Sequence, residues 1–542
     1  MFGIEPPPKR PRLDQPSHSH SHSAEFQTET ADAEEHASPP PTNIGPPETT
    51  TSNPEIFHSS PGSWYQDGFS QDPGFLASQE ELRAILFTLA NSAAPTRASS
   101  PAAGKRALES DLGSSASPST TVSRPYHHHE QRRTATASRS PLSSRRRIEY
   151  LKNYVAEIAP WLDMFDSNCT FRQQLPVLSH SFPALLYAIL AISARQMERK
   201  SGIQGWCDSL ELYQEAIRLL SPLIQVRDPK IVAACVLLCC LEMMSARAQD
   251  WHRHLEGCAA LFEASDIHGF CGGLLQAVFW CYARMDLCGA LISDGTRTTV
   301  LHPSKWLPVG CQEEDAYRLF KEARTPDMHA NYAVYLCVKT TELVSNRIKF
   351  IELGEANGCT TEVFTARWTS LWDKLQTWLA ERPAELLPIQ TISQKPFPHI
   401  LFVHWAAISS NQLYHTACIL LLKMMPKGLR MPRSPTLSLL WHARRICGIS
   451  ISNKHQGCLN NAIQPLWIAG RLFSHVSEHE QIVKTIRGIE AETGWGACWR
   501  IRDLEVAWGY TVGGNHREMM MKQQFSASLD EDAHQHQQHI AA

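Results

Sequence analysis

Beyond about residue 147 the apolar residues recur every three or four positions, in stretches of helical length broken by short polar turns. Leu151, Tyr154, Val155 and Ile158 form one such face, ended by Pro160. Phe182–Arg199 is mostly apolar and carries Pro183 in its first turn, where the missing N–H would be unpaired in any case. Leu210–Leu220 is amphipathic and stops at Pro222, and Pro229 opens an apolar run over Ile231–Met244. Further helices are expected over Asn331–Leu353, Val363–Arg382, Ile400–Met425, Pro435–Gly448 and Ala462–Phe473. Alternating patterns with hairpin turns are scarce and no fixed-period repeat occurs, so the expected fold class is all-α.

The densest pattern lies between Asp250 and Gly295. Trp251, Leu255, Cys258 and Phe262 fall at i, i+4, i+7 and i+11, with Asp250 placed as an N-cap acceptor. Gly269, Gly272 and Gly273 supply a break. Leu274, Val278, Phe279, Tyr282, Met285 and Leu291 then spread too widely around a second helix for a surface element, which places it inside a bundle. Arg284 and Asp286 lie two apart on that helix and cannot face each other, so each must find partners elsewhere. They and His254 sit beside core faces and read as buried hydrogen-bond partners rather than acid–base groups. Near the far end, Trp495 and Trp499 at i, i+4 predict a packing clamp on one helix face.

The order of these residues resembles a known family. Trp251, His254-Leu255-x-Gly257, Leu261, Gln276-Ala277-x-Phe279-Trp280, Arg284, Asp286, Ala290, Thr299-x-Leu301 and Trp306-Leu307-Pro308 are similar to the fungal-specific transcription factor domain. That domain is a helical regulatory region usually found downstream of a six-cysteine binuclear zinc cluster. A second block, Glu490-x-x-Thr493-Gly494-Trp495-x-x-Cys498-Trp499-Arg500-Ile501-x-Asp503-Leu504 followed by Trp508-Gly509, resembles its closing segment. The resemblance implies an all-helical regulatory domain over residues 147–511, in a nuclear transcriptional regulator of fungal type. Its implied partners are the transcription machinery or a coactivator.

Composition divides the chain of 542 residues at the same place. Residues 1–146 are rich in Ser, Pro, Thr, Ala and Glu and lack cysteine, whereas all sixteen cysteines and fourteen of the fifteen tryptophans follow. Such an arm buries too little apolar surface to offset chain entropy and is expected to be disordered, as is the polar tail over residues 512–542. The cysteines sit among apolar residues, where a thiol acts as a small hydrophobe, and point to a reducing compartment. No secretory apolar region follows Met1, and the longest apolar run, Ile231–Leu241, is too short to cross a bilayer. The chain therefore reads as soluble and intracellular, with no membrane partner. A net charge of −3 decides nothing about nucleic acid, because the charge is local.

Within the arm, Pro6-Pro-Pro-Lys9-Arg10-Pro11-Arg12-Leu13-Asp14 sets the cations Lys9, Arg10 and Arg12 on a proline-stiffened segment. It resembles a monopartite nuclear import signal of the Myc type, which implies an import receptor as partner and the nucleus as location. The Ser/His alternation over Ser17–Ser23 and the run His127–His129 read as low-complexity filler. Glu25–Glu81 holds eleven acidic residues and no Lys or Arg. Trp64, Tyr65, Phe69, Phe75 and Leu76 lie among them, fitting either an activation segment with solvated aromatics or an acidic linker. Ser78 and Glu81 predict a capping box for a helix over residues 78–91 with Leu82, Ile85, Leu86 and Leu89 on one face, ended by Pro95. That stripe needs a groove, on a coactivator or on the chain's own domain. Arg124–Arg147 carries seven arginines against Glu130. Arg132, Arg133, Arg145, Arg146 and Arg147 suit phosphate contacts, a second import signal or a solvated linker, and nothing beside them would read bases.

Neither a Gly-rich phosphate loop nor a glycine-flanked serine elbow occurs, so no enzymatic activity and no cofactor is expected. His475-x-x-Glu478-His479 matches a short zinc-hydrolase pattern, but on an exposed-looking helix face it reads as a chance match. The family's zinc cluster is missing: the first cysteine is Cys169 and no C-x-x-C occurs. Either an upstream exon has been lost, or the protein works without its own DNA-reading module, as the partner of a zinc-cluster transcription factor. Direct DNA binding thus stays open. The helical domain is expected to receive a metabolite or a protein contact and to control gene expression, such as that of a metabolic gene cluster.

Overall fold

Prolines and short polar side chains set where the helices begin. In the computed structural model the described residues are 68–93, 141–202, 207–223, 228–245, 251–293 and 296–510, all within the unit Ser63–Ala542. The first half of the fold comprises α1 (Pro73–Ala93), α2 (Arg145–Asn153), α3 (Ala159–Leu162), α4 (Leu175–Ser179), α5 (Pro183–Ser201), α6 (Cys207–Leu220), α7 (Pro229–Ser245), α8 (Trp251–Ala264) and α9 (Gly273–Ile292). The second comprises α10 (Ala316–Glu322), α11 (Pro326–Glu352), α12 (Thr361–Ala380), α13 (Trp405–Lys423), α14 (Leu439–Ser452), α15 (Gln456–Leu459), α16 (Ile463–Gly470), α17 (Val476–Thr493) and α18 (Trp499–Ala507). Thr325, Thr360 and Ser438 cap α11, α12 and α14, each accepting from a first-turn amide.

Two helices form the axes of the body. Every residue of α7 from Ile231 to Ser245 is buried, and so is every residue of α13 from Ala406 to Leu421. A helix apolar almost all round, as α7 is, has to be surrounded, and α13 is enclosed as completely although it carries Asn411, Gln412 and His415. Around α7 stand α5, α8 and α9; around α13 stand α11, α14, α16 and α12, with α9 and α11 packed together across the join. The all-α expectation holds with one small addition. Strands β1 (Gln390–Ile392) and β2 (His399–Leu401) pair antiparallel, with Thr391 opposite Ile400. The helix expected from Ile400 therefore starts at Trp405 instead. The preceding backbone is held extended by α14: Asn453 Nδ2 donates to Ile400 O at 2.7 Å, and Phe402 N donates to Asn453 Oδ1 at 2.9 Å.

Residues assigned by composition to the arm join this body. Phe69 and Phe75 are buried against each other and Tyr213, so these two are core residues rather than solvated aromatics. The expected capping box is not the helix start. Asp72 Oδ1 accepts from Gly74 N at 2.7 Å and Phe75 N at 3.2 Å ahead of Pro73, whereas Ser78 lies a turn inside and donates to Gly74 O. Leu82, Ile85, Leu86 and Leu89 are all buried, mainly against α8, and contribute about 1.5–3 kcal/mol each. Arg83 pairs with Glu256 at 2.6 Å, and Arg253 pairs with Glu80. The chain's own domain thus supplies the groove. The close approach requires Gly257, since a Cβ there would stand 2.7 Å from Leu86 Cδ1.

Buried polar groups in the helices are mostly neutral. Cys235 and Cys239 of α7 lie beside Cys258 of α8; burial pushes the Cys235 thiol well up, and a hydrogen bond with Cys258 together with burial does so for Cys239. In the second half, His442 Nε2–H donates to Thr436 O at 2.8 Å, so its Nδ1 accepts from His415 Nδ1–H, also at 2.8 Å. Desolvation holds His442 down to about 4 and His415 well below its ordinary value.

Two outcomes are expected. Gly257→Ala should gain helix propensity yet loosen α1, raising protease cleavage within residues 68–93 about tenfold, and Leu86→Ala in the same chain should relieve the collision. Strict additivity of the two changes would deny the contact. Unfolded histidines take up protons from about pH 6.5 downward while the folded pair resists, so stability is lost as pH falls through that window. Wild type should lose about 3 kcal/mol more than His442→Leu between pH 7 and 4 in urea titrations, the carboxyls titrating alike in both. Parallel curves would remove the pair from the account.

Candidate ligand pocket and the family-motif residues

A loop, the start of α9 and the start of α11 meet around a cavity of about 270 Å³, near the lower end of the range for small-molecule sites. Three carboxylates shape the loop. Asp163 accepts from Phe171 N and Arg172 N at 2.8 and 2.9 Å, and Asp166 accepts from Asn168 N and Thr170 N at 3.1 and 3.0 Å. From α11, Asp327 accepts from both the backbone N–H and the hydroxyl of Ser167 at 2.8 Å, tying the loop to the helix. Cys169 holds the left-handed conformation (φ 50°) at the turn.

Four side chains define the chemistry inside. Arg284 is buried and donates through Nη2 to Leu162 O at 2.6 Å, with its guanidinium 5.5 Å from the Phe165 ring centroid. Among the described residues it makes no ion pair, and desolvation lowers its pKa. The nearby Asp163 is pushed up to about 7 by burial, against the pull of the two amides it accepts from, so it is a weak counter-ion at neutral pH. Asn331, 1% exposed, leaves Oδ1 without a partner, while its Nδ2 lies 3.8 Å from Met328 Sδ. Trp280 and Phe165 give the cavity flat apolar surface.

Behind the pocket, the first family block stitches a loop to α9. Trp280 Nε1 donates to Gly269 O at 2.8 Å and Gly269 N to Trp306 O at 3.0 Å. Phe279, Trp280 and Trp306 meet edge to face, at centroid distances of 5.3, 5.7 and 5.9 Å. Asp286 accepts from Val300 N at 2.8 Å, Leu301 N at 2.9 Å and Tyr282 Oη at 3.3 Å, and burial still pushes it up to about 7. Arg284 and Asp286 therefore serve different loops, as their spacing requires. Leu255 is buried against Gly289. Trp251 and His254 lie on α8, but their side chains are not among those described.

The closing block works by the same means. Gly494 ends α17 with φ 71°, and its carbonyl accepts from Arg199 Nε at 2.5 Å. Because that glycine breaks the helix, Trp495 and Trp499 do not share a face. Trp495 meets Trp161 edge-on at 6.2 Å, and Trp499 opens α18. Arg500 lies between the rings of Trp467 and Trp499, 3.7 and 4.1 Å from their centroids. It also donates to Gln464 Oε1, Asp503 Oδ2 and Ile292 O, so the two family blocks meet at the end of α9. Leu504 is buried against Gly470, and Trp508 stacks on His479 at 3.8 Å. His475 is exposed and caps α17 while Glu478 and His479 are buried, so the zinc-like triplet does not lie on one exposed face.

The remaining predicted residues divide. Arg145 pairs with Glu149, Arg146 with Asp208 at 2.8 Å, and Arg147 with Glu211 and the Tyr187 ring. These three open α2 with acidic partners, and Arg145 and Arg146 remain largely exposed. Lys9, Arg10, Arg12, Arg132, Arg133, Trp64, Tyr65, the histidine tracts, Asp250 and the tail lie outside the described residues. Sequence reasoning missed Asn331, Asp166 and Asp327. The Thr325-Pro326-Asp327 helix start was available as a signal, but nothing local marks Asn331.

Replacing Asp286 by Ala strands two amides and a phenol, and should cost about 2–4 kcal/mol in chemical denaturation. Asp286→Asn keeps one acceptor oxygen and should cost about half as much; equal losses would deny that both oxygens matter.

Comparison with known proteins bears on the two blocks together. The fungal specific transcription factor domain matches residues 149–506. The transcription activator AMTR1 of Alternaria alternata is 23% identical over 345 residues, covering 52% of this chain and 44% of that protein. The chain thus aligns with less than half the length of this curated relative. No solved structure matches. With the family match covering more than half of the chain and spanning both blocks, the chain belongs to the fungal-specific transcription factor domain family.

Proposed function

We propose that this protein is a nuclear transcriptional regulator whose helical domain receives a small-molecule input and sets the exposure of short segments that engage the transcription machinery or a coactivator. The observation that carries the reading is a polar cavity lined by a buried arginine without an ion pair among the described residues, inside a domain of this family. An activator among the curated relatives supports the regulatory role. The input shifts the domain only through unequal affinity for two states. One route runs from the cavity through α9 to α8, whose Gly257 seats α1. Control of a metabolic gene cluster belongs to the same reading, as does a role without catalysis.

A second reading concerns DNA. The chain has no C-x-x-C, and the arginines of α2 are paired with acids, so we assign site recognition to a zinc-cluster transcription factor bound as partner. In a mobility-shift assay, purified chain alone should show only weak, salt-sensitive binding without a preferred site. A defined footprint from the chain alone would overturn this.

Import is assigned to Lys9, Arg10 and Arg12. Changing all three to Ala in a fluorescently tagged full chain should move it from mainly nuclear to mainly cytoplasmic, and unchanged nuclear signal would reject the assignment. Fused to a heterologous DNA-binding domain, the full chain should alter reporter output at least severalfold. A silent fusion that reaches the nucleus would sink the regulator reading.

A further inference from the structure

The cavity wall shows which charges a ligand has to bring. Arg284 offers a buried cation with no ion pair among the described residues, and four of its five N–H donors have no hydrogen bond to the described protein. A cation taken out of water without an anion is costly, so a carboxylate arriving there would be held strongly. Asn331 adds an acceptor, Oδ1, that is buried and unsatisfied, a state that costs about 1–3 kcal/mol until a donor arrives. At the rim, the carboxylates of Asp166 and Asp327 accept bonds from the loop and keep lone pairs to spare. The site therefore asks for one anionic group and one multiply donating cationic group on the same small molecule. Trp280 and Phe165 ask in addition for a flat apolar part.

We propose that this cavity binds a free α-amino acid with a flat apolar side chain, its carboxylate on Arg284, its ammonium between Asn331 Oδ1 and the carboxylates of Asp166 and Asp327, and its ring against Trp280 and Phe165. This names the ligand class for the sensing role proposed above and rests on it. A cavity of about 270 Å³ limits the ligand to a single small metabolite and excludes a nucleotide or a folded peptide.

The test is isothermal titration of the purified full chain with L-phenylalanine, 3-phenylpropionate, which lacks the ammonium, and L-phenylalaninamide, which lacks the carboxylate. Phenylalanine should bind, and each analogue should bind at least tenfold more weakly. Asn331→Leu should weaken phenylalanine at least tenfold while leaving Tm unchanged or higher, because it removes a stranded acceptor. Should that variant fail to fold, Asp327→Asn at the half-buried rim should weaken phenylalanine severalfold. Absence of binding, or either analogue matching phenylalanine, would overturn the proposal. The two readings fail separately: an active reporter fusion with a titration that shows no binding sinks the ligand class alone, whereas a silent fusion sinks the regulator whatever the titration shows.

Discussion

A bundle this deep buries the connections between its helices as well as their faces, and a buried peptide group needs a partner. That requirement governs the polar residues of the core. Asp286 takes the amides of residues 300 and 301, Arg284 gives to the carbonyl of Leu162, Trp280 to that of Gly269, and Arg500 to that of Ile292. Glu490 receives Ala497 and Cys498 N–H at 2.7 and 2.6 Å, and Asn453 holds the strand through Ile400. In each case a side chain on or at the end of a helix satisfies backbone of a loop, a strand or another helix's end. The family blocks are therefore mainly fastenings of the backbone between helices, and Gln276, Ala277, Trp280 and Arg284 of the motif also line the cavity.

Much of the architecture was legible because periodicity and proline placement are local signals. α5 and α7 begin at prolines read from the sequence, and the wide apolar spread of α9 announced its burial. The errors arose where a distant element decided the outcome. The strand at Ile400 exists because α14 supplies Asn453, fifty-three positions away. Trp495 and Trp499 lost their shared face to one glycine in a left-handed turn. Phe69 and Phe75 looked soluble among acids, yet Tyr213 and α6 gave them a core. The pocket was the least legible part. Arg284 could be placed in the interior, but its standing without an ion pair among the described residues and the stranded oxygen of Asn331 exist only after folding.

The docking of α1 joins two parts of the chain that composition separates. Its helix rests on one apolar stripe and two ion pairs at the surface, which are individually weak. Gly257 makes the seat fit by having no side chain, so the contact depends on backbone proximity more than on charge.

The thiols buried along α7, α8 and α9 carry a consequence of their own. Burial pushes Cys281 up to about 11 and Cys235 well above the ordinary value, and a hydrogen bond with Cys258 together with burial does the same for Cys239, so thiolate, the form that attacks electrophiles, is scarce in the closed bundle at neutral pH. Their alkylation must wait for helices to part. The rate at which these sulfurs take up a maleimide is therefore a clock for breathing of the interior, read from the native chain without any added label.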